Sequence, residues 1–318
     1  MKILLLAKKD FPRAFSEVFR LTAAVSGFRG VVCSSEDEFQ SESSRLSSCE
    51  ELHYLVAPLS DRKCVQSIVA KRGFVHSVVT FHSAHPSADE VRDLESGFVR
   101  HLIPLREATD EGVAALRENL SSTFSRWRVP TLQTLAAELP YARCQTMQIR
   151  TQKERSAALE SVENTLAALA PLAAPRFKST FVSRCLEVVD EFLLNAITAT
   201  GVDTNAAFEL QEEQVVQLSF GFDGGTFGVS VTDQAGSLRP WTFFRKALGV
   251  DADSPSADTE RGTSLALGLR SSLAVSRSLV AQVAPRRFTC ISAFVSYGRS
   301  GGAASAVSEP KRLEYFAL

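Results

Sequence analysis

Two alternating segments, Val216-Gln217-Leu218-Ser219-Phe220-Gly221-Phe222 and Phe227-Gly228-Val229-Ser230-Val231, stand on either side of Asp223-Gly224-Gly225 and constrain the fold most strongly. Apolar residues alternate with small or polar ones in both, which is the period-2 pattern of a strand, and the glycines suit the positive φ of a tight hairpin turn. The C-terminal half is thereby committed to antiparallel pairing, and the sheet must bury a face against something. A helix precedes it: Phe181, Cys185, Val189, Phe192 and Ala196 recur at three- and four-residue steps from Thr180 to about Thr200, and Gly201 follows as a stop signal. Gln152–Leu169 is helix-like as well. After the hairpin, Pro240 stands near the start of a helix Trp241–Leu248 that ends at Gly249. Asp251–Gly262 has the polar composition of a mobile loop, and Gly262–Leu269 leads into another helix. Leu279–Val283 and Phe288–Val295 around Pro285-Arg286-Arg287 form a closing hairpin.

The N-terminal half follows a different plan. Short apolar runs at Lys2–Ala7, Gly30–Cys33, Tyr54–Leu59, Ser77–Phe81 and His101–Leu105 alternate with segments of crossover-helix length, such as Phe11–Val25 and Ser60–Lys71. Buried runs alternating with helices predict a parallel sheet covered on both faces. A helical stretch, Asp110–Phe124, completes this half. The whole chain therefore reads as α/β. A parallel-sheet domain spans residues 1–125, and a connection with Pro130, Pro140 and one short helix around Leu132–Leu139 spans 126–150. A sandwich of helices on an antiparallel sheet spans 151–296, and a flexible tail runs from 297 to 318, whose apolar end could alternatively dock on a partner or back on the domain. At 318 residues there is chain enough for two such cores.

Charge and cysteine usage exclude several classes. Lys plus Arg is 35 against Asp plus Glu at 36, a balance that offers no electrostatic handle for nucleic acid or an anionic membrane. The run Ile3–Ala7 is too short for a signal peptide, and no stretch nears the ~20 apolar residues of a membrane span. The cysteines Cys33, Cys49, Cys64, Cys144, Cys185 and Cys290 are scattered, without a CxxC pair, which points to reduced structural thiols in a cytoplasmic protein and away from zinc.

Two regions carry possible chemistry. Glu191 and Asn195 are four apart on the helix after Thr180 and so project from one face, one turn apart. A carboxylate there can orient or deprotonate an attacking group, and the amide can offer an oxygen to Mg²⁺. The pair is common, and taken alone it is better explained as a solvated acidic helix face. Beyond this helix the chain runs through two strands ending in Asp233-Gln234-Ala235-Gly236, then a polar lid, a Gly/Leu-rich helix start and a closing hairpin. With Val189–Ile197 and Val229–Leu238 in that order, residues 150–296 resemble the GHKL superfamily of gyrase, histidine kinases and anti-sigma-factor kinases. The resemblance implies ATP and Mg²⁺ as ligands. It implies Glu191 as catalytic base, Asn195 as Mg²⁺ ligand and Asp233 as acceptor from the adenine amino group. Gly236 would form the turn beyond Asp233, and Gly262 and Gly268 would flank the phosphate loop. Residues 1–125 resemble the receiver domain of two-component signalling and imply a flavodoxin-like parallel sheet.

Both resemblances depart from their families at the chemistry. Lys8-Lys9-Asp10 stands where a receiver has its acid pair, and the third apolar run ends without a carboxylate until Asp61, which reads as a solvated loop residue, with a phosphoryl acceptor as the alternative. The five histidines, His53, His76, His82, His85 and His101, read as surface or strand-end residues. None follows residue 101, so a histidine nucleophile beside the ATPase-like domain is missing. In that domain Ala235 and Ser237 replace glycines. The phosphate-loop run becomes Gly262-Thr263-Ser264-Leu265-Ala266-Leu267, or in the other register Ser264–Leu269, and each added Cβ restricts positive φ and the approach of backbone to phosphate. The reading that results is a bacterial signalling regulator: a pseudo-receiver joined to a degenerate ATPase domain. It would act by binding a protein partner of the sigma, anti-sigma or two-component kind, with weak or no ATP turnover. The alternatives are an active ATP-dependent serine/threonine kinase of the anti-sigma type, and an ATP-ordered lid acting as a switch.

Overall fold

The computed structural model describes residues 2–45, 53–72, 75–82, 90, 99–128, 134–169, 175–204, 207–249, 262–297 and 311–318. The polar stretch 251–261 expected as a loop, Cys49, His85 and the Gly/Ser/Ala-rich 298–310 lie outside the described residues, and the side chain of His76 does too. The chain divides into two compact units. Unit 1 comprises Met1–Thr131 with Glu309–Glu314, and unit 2 comprises Leu132–Ser308 with Tyr315–Leu318.

Unit 1 is built on five parallel strands: β1 (Lys2–Leu6), β2 (Arg29–Cys33), β3 (His53–Pro58), β4 (Val75–His82) and β5 (Val99–Pro104). β1 pairs with β2 on one side and β3 on the other, and β4 and β5 follow, giving the order β2-β1-β3-β4-β5. The helices α1 (Arg13–Val25), α2 (Glu36–Ser44) and α3 (Arg62–Arg72) alternate with the strands, and α4 (Asp110–Arg128) follows them. Ile3, Leu4, Leu5 and Leu6 have no exposed surface, as a strand covered on both faces requires, and each contributes about 1.5–3 kcal/mol of burial. On α1 the buried residues Phe15, Phe19, Thr22 and Ala23 form one stripe. Gly30 on β2 lets that stripe lie close, because a Cβ there would press on Ala23 at 3.1 Å. Ser35 caps α2 by accepting from the Glu38 N–H. α4 runs four residues beyond the expected Phe124, since Trp127 on its last turn stacks on Tyr54 with ring centroids 3.8 Å apart.

Unit 2 is built on the antiparallel strands β6 (Gln145–Ile149), β7 (Val216–Phe222), β8 (Thr226–Asp233), β9 (Ser278–Ala284) and β10 (Phe288–Ser296), in the order β9-β10-β8-β7-β6. Its helices are the short α5 (Leu135–Glu138), then α6 (Gln152–Leu169), α7 (Pro175–Ala199), α8 (Pro240–Leu248) and α9 (Gly262–Val275). α7 lies on β7 and β8, with α6 and α9 packed against it. Pro240 starts α8 and Gly249 ends it in the left-handed conformation, φ +71°. Asp223 shapes the β7–β8 turn by accepting from the N–H groups of Gly225 and Thr226, and Gly224 takes φ +93°.

Two expectations change. Residues 126–150 contain the expected short helix, α5, but are more than a connection: they also complete α4 and contain β6. β6 is an edge strand that buries only Ile149, so its apolar alternation is faint. Residues 312–317, expected within a flexible tail, form a buried strand, β11 (Arg312–Ala317). Leu313 and Glu314 run antiparallel to Leu102 and His101 of β5 within unit 1. Tyr315–Leu318 belong to unit 2, where the Leu318 N–H donates to the Val283 carbonyl at 2.9 Å. Among the described residues no helix is long and apolar enough to cross a membrane.

Candidate functional site

Strand register in unit 2 creates a patch of four side chains. Val231 and Asp233 are two apart on β8 and share a face; Thr289 and Ile291 do the same on β10. Antiparallel pairing sets Thr289 opposite Asp233 and Ile291 opposite Val231. Above this patch α7 presents Phe192, Asn195, Ala196 and Ala199 at helical spacing. Ser237 and Leu238, Thr242 of α8 and Leu269 of α9 complete the wall of a cavity of about 150 Å³.

The polar groups of this cavity are unusual in being buried and partly unpaired. Asp233 is 6 % exposed. Its Oδ1 accepts from the Ala235 N–H at 2.8 Å, an Asx turn that shapes the exit from β8. Burial pushes the Asp233 carboxyl up to about 6, although the backbone N–H groups of Ala235, Gly236 and Thr289 pull the other way. Asn195 Nδ2 and Thr289 Oγ1 are both buried and have no hydrogen-bond partner among the described residues. An orphaned polar atom of this kind costs about 1–3 kcal/mol, which a ligand would recover.

The other expected site residues do not line the cavity, although Glu191 lies close to Asn195. Glu191, one turn before Asn195, stays outside the cavity lining, and its carboxylate packs against Gly268. A Cβ at Gly268 would collide with Glu191 Oε2 and would lie 3.5 Å from Asn195 Nδ2. Burial, then the neighbouring charge of Asp190, raises the Glu191 carboxyl above its ordinary value. Asp190 itself is ion-paired with Arg155 of α6. Gly236 takes φ +57° and has no room for a side chain: a Cβ would lie 2.6 Å from the Arg286 and Arg287 nitrogens at the β9–β10 turn. Gly236 thus serves the close approach of two loops. The segment expected as a phosphate loop between Gly262 and Gly268 is helical. α9 begins at Gly262, and Gly268 lies inside it, where the absent side chain lets Glu191 approach.

The cavity therefore suits a ring flanked by apolar residues, with an acceptor at Asp233, a donor at Asn195 and a hydroxyl at Thr289. Among the described residues no group of His, Cys, Asp and Glu is arranged to hold a metal. Thr289 is a site residue that the sequence does not single out. Its signal is register, and β10 pairs with a strand far from it in the chain, so hairpin spacing cannot supply it.

At the strand ends of unit 1, Lys8 follows β1 and points its ammonium between two carboxylates, 2.5 Å from Glu36 Oε1 and 2.6 Å from Asp61 Oδ1. Hydrogen bonds to Asp61 and Glu36 hold the Lys8 ammonium above its ordinary pKa. Asp61, expected as a solvated loop residue, has a side chain only 12 % exposed, because the turn after β3 folds it onto Lys8. His101 departs from the expected surface position as well. It is buried with Glu314, its Nδ1 3.4 Å from Glu314 Oε1, while the Trp127 indole N–H donates to its Nε2. Burial lowers its pKa, against the opposing pull of Glu314. Arg312 Nη2 lies 2.7 Å from Glu314 Oε2, and the Thr123 hydroxyl donates to Oε1.

No protein-family model matches this chain, and no curated protein matches it either.

Proposed function

We propose that the chain is a signalling regulator in which unit 1 is a pseudo-receiver of flavodoxin-like type and unit 2 a degenerate histidine-kinase-like ATPase domain. It acts by binding a protein partner of the sigma, anti-sigma or two-component kind, and keeps an adenine-nucleotide site with weak or no turnover. The strand order β2-β1-β3-β4-β5 supports the first assignment, being the order of flavodoxin-like sheets. Helices laid on one antiparallel sheet, with the helix of Glu191 and Asn195 ahead of the strand that ends at Asp233, support the second.

The observation that carries the reading is the different setting of two neighbouring residues on α7. Asn195 joins Asp233 at one cavity, while Glu191, the residue that would act as base, is packed on Gly268. Binding groups without a free base favour occupancy over turnover. Titration calorimetry with ATP and Mg²⁺, alongside a phosphate-release assay, tests this on wild type, Asp233→Ala and Asn195→Ala. Binding weakened in both variants, with phosphate release at background throughout, is the expected result. No heat with wild type at millimolar nucleotide would remove the nucleotide site from the proposal.

One observation favours the alternative of an active serine/threonine kinase: the Glu191 carboxyl is raised by burial, as a general base requires. Phosphate transfer to a protein substrate that Glu191→Gln abolishes would establish that alternative.

A further inference from the structure

We infer that β11 is a strap on the unit 2 cavity: the hydroxyl of Tyr315 holds the cavity wall at Leu238, so that docking of the strand and occupancy of the cavity strengthen each other. The inference rests on the nucleotide-site reading and adds a regulatory element to it.

The wall needs such a hold. Between the end of β8 at Asp233 and the start of α8 at Pro240 the chain runs without helix or strand. Ser237 and Leu238 of this stretch line the cavity. A segment without a hydrogen-bonded ladder is placed by whatever ties it down, and its local stability is that of those ties. Its first half is tied close by. The Ala235 N–H donates to Asp233, and the Gly236 carbonyl accepts from the Arg286 N–H at 3.2 Å, where Gly236 is wedged against the β9–β10 turn. At Leu238 the tie comes from a distant part of the chain. The Tyr315 hydroxyl donates to the Leu238 carbonyl at 2.8 Å, across 77 positions of sequence.

Tyr315 also reaches a second support of the same wall. Its ring lies against Phe243 of α8, with centroids 6.4 Å apart, and the residue before Phe243 is Thr242, which lines the cavity. The Tyr315 side chain is buried, so its hydroxyl depends on that carbonyl, and both groups lose the bond if the strand leaves. Within unit 2 the strand end is anchored by the Leu318 N–H on the Val283 carbonyl. A ligand that needs the wall in place binds best with β11 docked. By linkage, the same ligand must then favour the docked strand to the same extent.

The test uses the full chain as wild type and as Tyr315→Phe, which keeps the ring on Phe243 and removes the hydroxyl. Titration calorimetry with ATP and Mg²⁺ is paired with amide hydrogen exchange of residues 315–318, with and without saturating nucleotide. The variant should bind about three- to tenfold more weakly. Nucleotide should slow exchange of these amides by a similar factor in the wild type, and by less than about twofold in the variant. Equal affinity in the two proteins, or equal protection, would overturn the strap and leave the nucleotide-site reading standing. Weaker binding by the variant without nucleotide-dependent protection in the wild type would make Tyr315 a static support, which overturns the strap as well. No heat with wild type at millimolar nucleotide would overturn both readings.

Discussion

In unit 1 the charged groups at the strand ends and on β11 find opposite charges within the chain, whereas in unit 2 three polar side chains converge on a cavity and two of their atoms find no partner among the described residues. Lys8 lies between Glu36 and Asp61, and Arg312 and His101 flank Glu314. Asn195 Nδ2 and Thr289 Oγ1 stay orphaned beside a carboxylate that burial disfavours. Ion-paired clusters have much of their electrostatic stabilisation already in the folded state, even though Arg312 Nε and Glu314 Oε2 also lack a hydrogen bond among the described residues. Orphaned groups weaken the empty state and leave interaction free energy for something that binds. The contrast makes the unit 2 cavity the place to test for binding and the unit 1 ion pairs the place to test for stability.

The closed side breaks hardest at Glu314, which has no exposed surface. Glu314→Ala would leave Arg312 and His101 buried without their carboxylate, and losing one member of a buried ionic set costs about 3–5 kcal/mol. Urea unfolding at pH 7 should show that loss; one below about 1 kcal/mol would mean the set is not worth its desolvation. Burial alone would raise the Glu314 carboxyl, but Arg312 first, then His101 and Arg126, outweigh it and hold it down to about 2. Its folded value is therefore below the ordinary 4.5, so its stabilisation is complete above 4.5 and is lost as pH falls from there towards 2. The variant should lack that part of the acid dependence.

Asp233 sharpens the comparison from the open side, and its sign is opposite. Its folded value of about 6 lies above the ordinary 3.8. The contribution to stability is present below 3.8 and is lost as pH rises through 6, so at pH 8 the ionised group burdens the fold. Asp233→Asn should stabilise the empty protein at pH 8 by up to about 3 kcal/mol, less whatever its backbone hydrogen bonds give up. The same change should weaken binding of adenosine, the base-bearing part of the proposed nucleotide, about tenfold or more, since an amide can present its donor to the amino group. In the wild type, adenosine affinity should fall as pH drops through about 6. Unchanged stability together with unchanged affinity would show that Asp233 is neither strained nor used.

Gly268→Ala tests whether Glu191 is truly committed to packing. In a helix interior the change alone would gain about 1 kcal/mol, but here the new Cβ meets the Glu191 carboxylate. Overpacking should win, for a net loss of about 1–2 kcal/mol in thermal or urea unfolding. In a Glu191→Ala background the sign should reverse, a coupling that a double-mutant cycle reads directly. Equal effects in both backgrounds would mean that Glu191 swings clear and remains available as a base.

Much of this is legible in the sequence and some is not, for reasons that particular residues make plain. Period-2 segments and glycine turns locate β7, β8, β9 and β10, and the buried apolar runs locate β1 to β5. Asn195 and Asp233 can be singled out because helix spacing and a strand end announce them. Thr289 cannot, because what brings it beside Asp233 is a pairing between strand positions 233 and 289, far apart in the chain. β6 hides behind an exposed edge pattern, and β11 behind a composition that suggests a tail. The residues of β11 are buried by pairing with β5 and by the charges around Glu314, neither of which leaves a local periodicity. The loop expected between Gly262 and Gly268 is implied by the family resemblance, while the local sequence already leads into a helix. Gly268 serves the approach of a neighbouring helix, a tertiary reason that spacing does not reveal.

The smallest effect is at Lys8, where the closed cluster meets solvent. Its side chain is 41 % exposed, so its two ion pairs are screened, and Lys8→Met should cost less than about 1 kcal/mol. The difference from wild type should shrink further in high salt. More informative is what the vacancy attracts. Without the ammonium, Glu36 and Asp61 face one another uncompensated, and oxygen ligands of that kind suit a hard divalent cation. Millimolar Mg²⁺ should then raise the melting temperature of Lys8→Met and leave the wild type where it is. A wild type that responds to Mg²⁺ as the variant does would mean that Lys8 yields its place to a metal, and the strand ends of unit 1 would have to be counted with the cavity as an open site.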